Sequence, residues 1–232
     1  MNTFNIKEKI YVILCVLFCL SIVVGNLLFQ KYIIIDFPLL IKMEISVGTI
    51  IYPLTFLLTD LIAEFFGKER SEFTIKIGVL ACLFTGLLVL IGNKLPATYW
   101  SVLSDSEFNK IFGLYNFAFI SSIIANFLAQ MIDIRIYLFI KKITKDKFLW
   151  LRNNLSTIFS QIVDTITVYG VMYYLKIIPS DRLIEVFISA LSFKCLFTIS
   201  FTPIFYMCVN IINKIINSKK LSNIQTNKNI NP

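Results

Sequence analysis

The feature that most constrains this chain is a series of apolar runs, each about twenty residues long and separated from the next by a short charged segment. A helix rises about 1.5 Å per residue, so a run of this length crosses a hydrocarbon core about 30 Å thick. Hydrophobic residues make up 57% of the 232 residues and the mean hydropathy is +0.77, whereas soluble domains are about 45–50% apolar. The sequence therefore predicts an all-α, polytopic integral membrane protein.

Six transmembrane helices are predicted, at approximately residues 10–30, 47–66, 73–93, 114–140, 155–175 and 184–212. The first run is longer than the apolar region of a secretory signal, and no small-residue cleavage pattern follows Phe29, so we treat it as a spanning helix. The segment 31–46 is too charged, and too broken by Pro38, to span; we expect it at the outer surface or folded back into it. Residues 1–213 are predicted to form one six-helix transmembrane domain, and residues 214–232 are predicted to be a disordered cytoplasmic tail.

The distribution of positive charge predicts the orientation. Fourteen lysines and arginines lie near the N-terminus, between residues 68 and 76, between residues 141 and 152, and after residue 213, whereas six lie in the opposite segments. The positive-inside rule then places both termini in the cytoplasm, with the protein in the inner (cytoplasmic) membrane. The net charge of +8 is explained by topology, and nucleic acid is not expected as a partner.

Polar residues interrupt the apolar sequence of four predicted helices. A charged side chain at the centre of a spanning helix costs about 2.5–3.5 kcal/mol, so it is expected to face protein or water and to find a partner. Residues three or four apart share one face of a helix, and this spacing relates the polar residues within each helix. The candidate substrate-binding residues are Asp60 and Glu64 in the second helix, Asn126, Gln130 and Asp133 in the fourth, Gln161 and Asp164 in the fifth, and Lys194 in the sixth.

The depth of the acids predicts a shared chamber. Counted from the predicted helix ends, Asp60, Asp133 and Asp164 lie roughly 10–14 Å from the inner interface, so we expect them to meet in one wettable cavity. Lys194 falls in the outer half, where it could pair with an acid, form an outer gate or extend to the surface. The structural alternatives are interhelical hydrogen bonds for the acids and amides, and a solvated helix end for Glu64.

Acids and amides that line a cavity complement a flat ligand with several N–H donors, such as a purine-like base. Buried carboxylates can also carry a proton through a transport cycle. The sequence lacks the motif G-x-x-x-x-G-K-[ST], so the chain is not expected to hydrolyse ATP by itself. It has no histidine, and its five cysteines show no metal or disulfide spacing, so neither a metal nor a cofactor is expected.

Three segments resemble a known family: YPLTFLLTDLIAEFFGKER (52–70), NFLAQMIDIRIYLFIKK (126–142) and FSQIVDTITVYG (159–170). In this order they are similar to the motifs of the queuosine precursor transporters, also called the vitamin uptake transporter family. The resemblance implies import of 7-cyano-7-deazaguanine and 7-aminomethyl-7-deazaguanine, or in some members queuine, for making queuosine in transfer RNA. It matches the family's motif acids and amides at Asp60, Glu64, Asn126, Gln130, Asp133, Gln161 and Asp164, without assigning a single contact.

Three other readings are weighed against this importer. A substrate-binding membrane subunit of a multi-component ATP-driven importer would have similar size and helix number. An intramembrane aspartyl protease using Asp133 and Asp164 is disfavoured, because the glycine and the proline-containing loop that such enzymes need are not found around Asp164. A channel is disfavoured because no repeated pore loop accompanies the acids. The chain is therefore not expected to be an enzyme, and a homodimer is left open.

Overall fold

The computed structural model describes residues 5–36, 43–112, 117–174, 176 and 178–230. Its elements are α1 (Ile6–Leu28), β1 (Tyr32–Ile35), β2 (Met43–Ser46), α2 (Val47–Gly92), α3 (Asp105–Phe112), α4 (Phe117–Ile143), α5 (Leu149–Tyr174) and α6 (Leu183–Ile230). Among the described residues, five helices are long and apolar enough to cross a membrane: α1, α2, α4, α5 and α6. The prediction of a helical, multi-pass membrane protein is confirmed at this level, with one small β-hairpin added.

Helix α2 is 46 residues long, but its backbone leaves the helical conformation at Gly67, where φ is 77° and ψ is −173°. This region of backbone space is accessible almost only to glycine. Both Gly48 and Cys82 lie against the end of α1 that contains Gly25 and Asn26. The first half of α2 (residues 47–66) and the second half (residues 68–92) therefore run in opposite directions, with a single residue between them.

The two halves of α2 pack against α1 and α4, and α1 also contacts α4 through Asn26 and Ser122. α1 packs along α2, α4 lies between α2 and α5, and α6 packs against α5. Large apolar side chains such as Leu80, Phe84 and Leu87 are exposed on the outside, as expected of a surface that faces lipid. The inward faces of α4 and α5, in contrast, carry buried polar residues. The molecule is therefore apolar outside and polar inside, and the candidate site lies among these buried polar residues.

The segment before α2 folds back onto the helices. β1 and β2 pair antiparallel, with Ile33 opposite Ile45, and the buried side chains of Met43 and Ile45 pack with Phe193 of α6. The hydroxyl of Ser46 donates a hydrogen bond to the Phe29 carbonyl and accepts one from the Gly48 N–H, so it joins the end of α1 to the start of α2. The position of segment 31–46 relative to the outer surface stays a prediction, and Pro38 lies outside the described residues.

Helix α6 continues through most of the segment for which a disordered tail is predicted. Its backbone is helical from Leu183 to Ile230, beyond the predicted end near residue 212. The physical reason is that α6 contains no glycine and only one proline, Pro203, so nothing in the chain forces the helix to stop.

Candidate functional site

A column of buried polar side chains runs between the first half of α2 and helices α4, α5 and α6. We call these residues the polar column; its members each expose at most 5% of their surface: Thr55, Thr59, Asp60, Asn126, Gln130, Asp133, Thr157, Ser160, Gln161, Asp164, Lys194 and Thr198. Every predicted site residue except Glu64 belongs to it. The i, i+3 and i+4 spacing within each helix thus predicts the inward face correctly.

Glu64 closes one end of the polar column. Its carboxylate accepts hydrogen bonds from Arg152 at 2.7 Å and Tyr137 at 2.9 Å, and lies 3.1 Å from the Lys141 ammonium. Arg152 also donates from Nε to the Tyr137 hydroxyl at 3.2 Å. Glu64 is therefore not simply a solvated helix end, since it binds two helices at once.

Arg152 is the residue that sequence reasoning missed. The predicted fifth helix begins at residue 155, which places Arg152 in a cytoplasmic loop, whereas α5 begins at Leu149 and the Arg152 side chain is only 2% exposed. The spacing of Arg152, Ser156 and Ser160 by four residues was the available signal, because it extends the inward face of α5 by one turn.

Asp60 and Asp133 lie side by side in the middle of the polar column. Their carboxyl groups contact Thr157 and Ser160, which lie three residues apart on one face of α5. Thr157 donates to Asp60 at 3.5 Å, and Ser160 can donate to Asp133 at 3.2 Å. Asp60 Oδ1 and Asp133 Oδ2 are fully buried and have no hydrogen-bond partner among the described residues.

Two glutamines continue the polar column beyond the acid pair. Gln130 accepts a hydrogen bond from Thr59 through Oε1 at 2.8 Å and donates one to Thr55 through Nε2 at 3.1 Å, so both polar atoms of its side-chain amide have partners. Gln161 accepts from Thr198 at 3.3 Å, but its Nε2 is buried without a partner in the described part of the chain. Gln130 therefore joins helices, whereas Gln161 keeps a free donor.

Asp164 closes the other end of the polar column with a buried ion pair. The Lys194 ammonium lies 2.8 Å from Asp164 Oδ2, and the Tyr52 hydroxyl donates to Oδ1 at 2.5 Å. Lys194 also lies 4.8 Å from the centre of the Tyr52 ring. Asn126 donates to the Tyr52 hydroxyl at 2.7 Å, and its Oδ1 is buried without a partner among the described residues. Pairing of Lys194 with an acid is thus confirmed, and its extension to the surface is wrong.

The expectation that three acids share one level is wrong for Asp164. Thr157, which contacts Asp60, precedes Asp164 by seven residues on α5, which is about 10 Å along a helix. The depth estimate counted from a helix start at residue 155, and α5 starts six residues earlier, at Leu149. The acids therefore form two levels, with Asp60 and Asp133 at one and Asp164 at the other.

The space beside Asp164 is small. A cavity of about 30 Å³ is lined by Tyr52, Asp164 and Lys194 together with residues of α1, including Asn26. Sites for small organic ligands are typically about 300–1,000 Å³, so this cavity has room for water only. The polar column is closed in this conformation.

A multi-pass helical membrane protein with ionisable residues facing a protein interior has the features of a solute transporter. Residues 46–208 match the family model described as putative vitamin uptake transporter, and the chain belongs to this family. It is 29% identical over 168 residues, 72% of either chain, to a protein of Bacillus subtilis (strain 168) named probable queuosine precursor transporter. No solved structure matches. The resemblance that the three motifs indicate is thus confirmed, and the family comprises transporters rather than enzymes.

Proposed function

We propose that the chain imports queuosine precursors into the cytoplasm through the polar column. The substrates are 7-cyano-7-deazaguanine, 7-aminomethyl-7-deazaguanine or queuine, which are flat bases rich in N–H donors. One observation carries the proposal. Four hydrogen-bonding atoms, on Asp60, Asn126, Asp133 and Gln161, are buried without a partner among the described residues, and buried polar groups are ordinarily satisfied.

The unpartnered atoms match the chemistry of such a base. Asp60, Asn126 and Asp133 offer oxygen acceptors, and Gln161 offers an N–H donor. The deazaguanine ring presents N–H groups and a carbonyl oxygen in one plane, so it can satisfy acceptors and a donor together. In this proposal Glu64 and Gln130 hold the helices that carry these groups, and the Asp164–Lys194 pair borders the entrance.

We assign six membrane spans, with both termini in the cytoplasm: α1, each half of α2, α4, α5 and α6. The reversal at Gly67 supports two spans in α2, since Gly48 and Cys82 reach the same end of α1. The Glu64 end of the polar column then faces the cytoplasm, next to Lys141 and the basic segment that follows it. The protein lies in the inner (cytoplasmic) membrane of the cell. The hairpin and the Asp164–Lys194 pair are on the side of this membrane that faces away from the cytoplasm.

Transport by this route requires the helices to separate at each end in turn. The two ends are closed by ion pairs, Glu64 with Arg152 and Asp164 with Lys194. Binding a base outside would compete with Lys194 for Asp164, and release inside would need the contacts of Glu64 to open. Alternating access around a midplane site is the general scheme of secondary transporters.

The experiment that tests this function uses cells that cannot synthesise the base and lack a carrier of their own. Each of the three precursors is supplied at low concentration, with and without this gene, and the queuosine content of transfer RNA is measured. We expect queuosine only when the gene is present, and without any added ATP-hydrolysing subunit. Equal queuosine with and without the gene would contradict the function, and a need for an ATP-hydrolysing partner would favour the subunit of an ATP-driven importer.

A further inference from the structure

The Asp60–Asp133 pair is the part of the polar column that lacks a positive charge. Glu64 is matched by Arg152 and Lys141, and Asp164 is matched by Lys194. Within the part of the chain that the structure describes, no salt bridge reaches Asp60 or Asp133. Two buried carboxylates without a countercharge are strongly unfavourable. Something positive must therefore join them.

The hydrogen bonds of the Asp60–Asp133 pair indicate that the positive species can be as small as a proton. The two carboxyl groups contact hydroxyls three residues apart on α5, and each has one oxygen without a partner among the described residues. A proton held between the carboxyl groups would remove one negative charge, and because a carboxyl oxygen has two acceptor positions, these oxygens could still accept from the N–H groups of a base. Among the described residues no group of three or more His, Cys, Asp or Glu side chains could hold a metal ion.

A second observation points to the same place. Gln161 lies four residues beyond Thr157, on the same face of α5, and its fully buried Nε2 has no partner in the described chain. The Gln161 N–H groups therefore lack an acceptor about one helical turn from two carboxyl oxygens, of Asp60 and Asp133, that lack donors. This arrangement is expected of a binding site that has no ligand in it. The base would bridge these groups, and the proton would stay on the acid pair.

Resting on the proposed function, we propose that the Asp60–Asp133 pair carries one proton inward with each base, so that the chain is a proton symporter. The proton binds to a carboxylate oxygen from the outer side and leaves to water on the cytoplasmic side. No bond of the base changes. The proton reduces the negative charge of the buried acid pair, and the base supplies hydrogen bonds to the side-chain atoms that remain without a partner. Each therefore lowers the free energy of binding the other, which couples their transport.

The other ionisable groups around the Asp60–Asp133 pair already bond to one another, so the pair is the place where an exchangeable proton is expected to bind. From α2 the neighbouring ionisable group is Glu64, from α4 it is Tyr137, and from α5 it is Arg152, and these three bond one another. From α6 the ionisable group of the polar column is Lys194, which is held by Asp164. α1 carries charged residues only in its first turn.

The test uses the full chain in proteoliposomes and the neutral base 7-cyano-7-deazaguanine, so that any charge moved belongs to the proton. An inside-negative potential of about 100 mV is imposed with potassium and valinomycin. One charge moving with each base allows about 50-fold accumulation at that potential, and a dye in the lumen should report acidification on addition of base. Uptake that ignores both the potential and a proton gradient, or that needs a sodium gradient, would overturn the inference.

Variants assign the effect to the pair. In Asp60→Asn and in Asp133→Asn, potential-driven accumulation should fall at least about 10-fold more than the exchange of labelled for unlabelled base. Asp181→Asn, which changes an exposed carboxylate outside the spans, should accumulate base as the unaltered chain does. An unchanged ratio in both pair variants would overturn the assignment. If the variants do not fold, the dye measurement on the unaltered chain still decides whether protons move. An unaltered chain that exchanges no base would instead refute the proposed function.

Discussion

The two halves of α2 have similar apolar sequences and opposite roles. In the first half, Thr59 and Asp60 are fully buried and make hydrogen bonds to Gln130 of α4 and Thr157 of α5. In the second half, Ser71 and Thr74 are equally buried, and their hydroxyls donate to backbone carbonyls one turn earlier, at 2.9 Å in each case, with the Tyr11 hydroxyl of α1 also 3.2 Å from the Thr74 hydroxyl. Burial of polar residues alone therefore does not mark a site.

What separates the halves is the kind of polar group that each one buries. A hydroxyl that bonds to its own helix satisfies itself, and it places no demand on a neighbour. A carboxylate or carboxamide in the membrane cannot do this fully, so it recruits side chains from other helices or keeps an open position. The first half has such groups and the second half packs through small residues. This difference predicts how each half responds to substitution.

The largest difference is expected for the same chemical change made once in each half. Asp60→Asn removes a buried carboxylate of the central pair. We expect the uptake of base to fall by more than about 10-fold, because the variant lacks the charged group that is proposed to take part in transport. Glu72→Gln removes a carboxylate whose partner is the exposed ammonium of Lys68 at 3.7 Å, and exposed pairs contribute little. Initial uptake rates, normalised to protein in the membrane, measure both.

This comparison fails if the two variants lose uptake equally, or if Asp60→Asn transports at the rate of the unaltered chain. In that case the polar column would be a structural hydrogen-bond network, which was the alternative for these residues. Asp133→Asn and Asp164→Asn, each made at one level of the polar column, then show whether the level of Asp133 or that of Asp164 was assigned wrongly.

The next effect concerns the ion pairs at the ends of the two halves that lie next to Gly67. Arg152→Met leaves Glu64 with less compensation, and removing one member of a buried pair typically costs about 3–5 kcal/mol. Lys68→Met breaks an exposed pair in the second half, where a change within about 0.5 kcal/mol is expected. Thermal unfolding in detergent, followed by the loss of monodisperse protein, should show a lower midpoint only for Arg152→Met.

A double variant keeps this prediction independent of the arginine's size. Glu64→Gln with Arg152→Met removes both charges, so it should recover a large part of the stability that Arg152→Met loses. No recovery would mean that Arg152 acts through its packing on the Tyr137 ring, 5.6 Å from the guanidinium carbon, rather than through its charge.

The same contrast explains how much of the site the sequence could predict. Asp60, Gln130 and Asp133 were assigned to inward faces by their spacing alone, because a helix fixes which residues share a side. The level of Asp164 and the burial of Arg152 were not, because both depend on where α5 begins, and helix boundaries are the least determined part of a pattern. The reversal at Gly67 was expected as a loop of several residues. A single glycine suffices because its backbone conformation is one that other residues rarely adopt.

A smaller difference is expected between two glycines, one in each half. A Cβ at Gly48 would collide with the backbone of α1, at the Gly25 carbonyl and at Phe29 Cα 3.0 Å away, whereas a Cβ at Gly78 would meet the end of the Phe18 side chain at 2.5 Å. Backbone cannot move aside as a ring can. We therefore expect Gly48→Ala to cost about 3 kcal/mol and Gly78→Ala about 1 kcal/mol. Phe18→Leu should relieve Gly78→Ala and leave Gly48→Ala unchanged in the same unfolding assay.

The smallest effect is expected at the junction of the halves. Gly67 has φ of 77° and no atom within 4 Å of where a Cβ would stand, so Gly67→Ala meets only the backbone cost, about 1 kcal/mol. Gly170→Ala is the matched control, because this glycine of α5 also has no atom within 4 Å but lies in a regular helix, where alanine is favoured by up to about 1 kcal/mol. The two unfolding midpoints should therefore move in opposite directions. If both rose, the positive φ would not be needed to reverse α2, and the antiparallel arrangement of its halves would have to be stabilised by their separate contacts with α1.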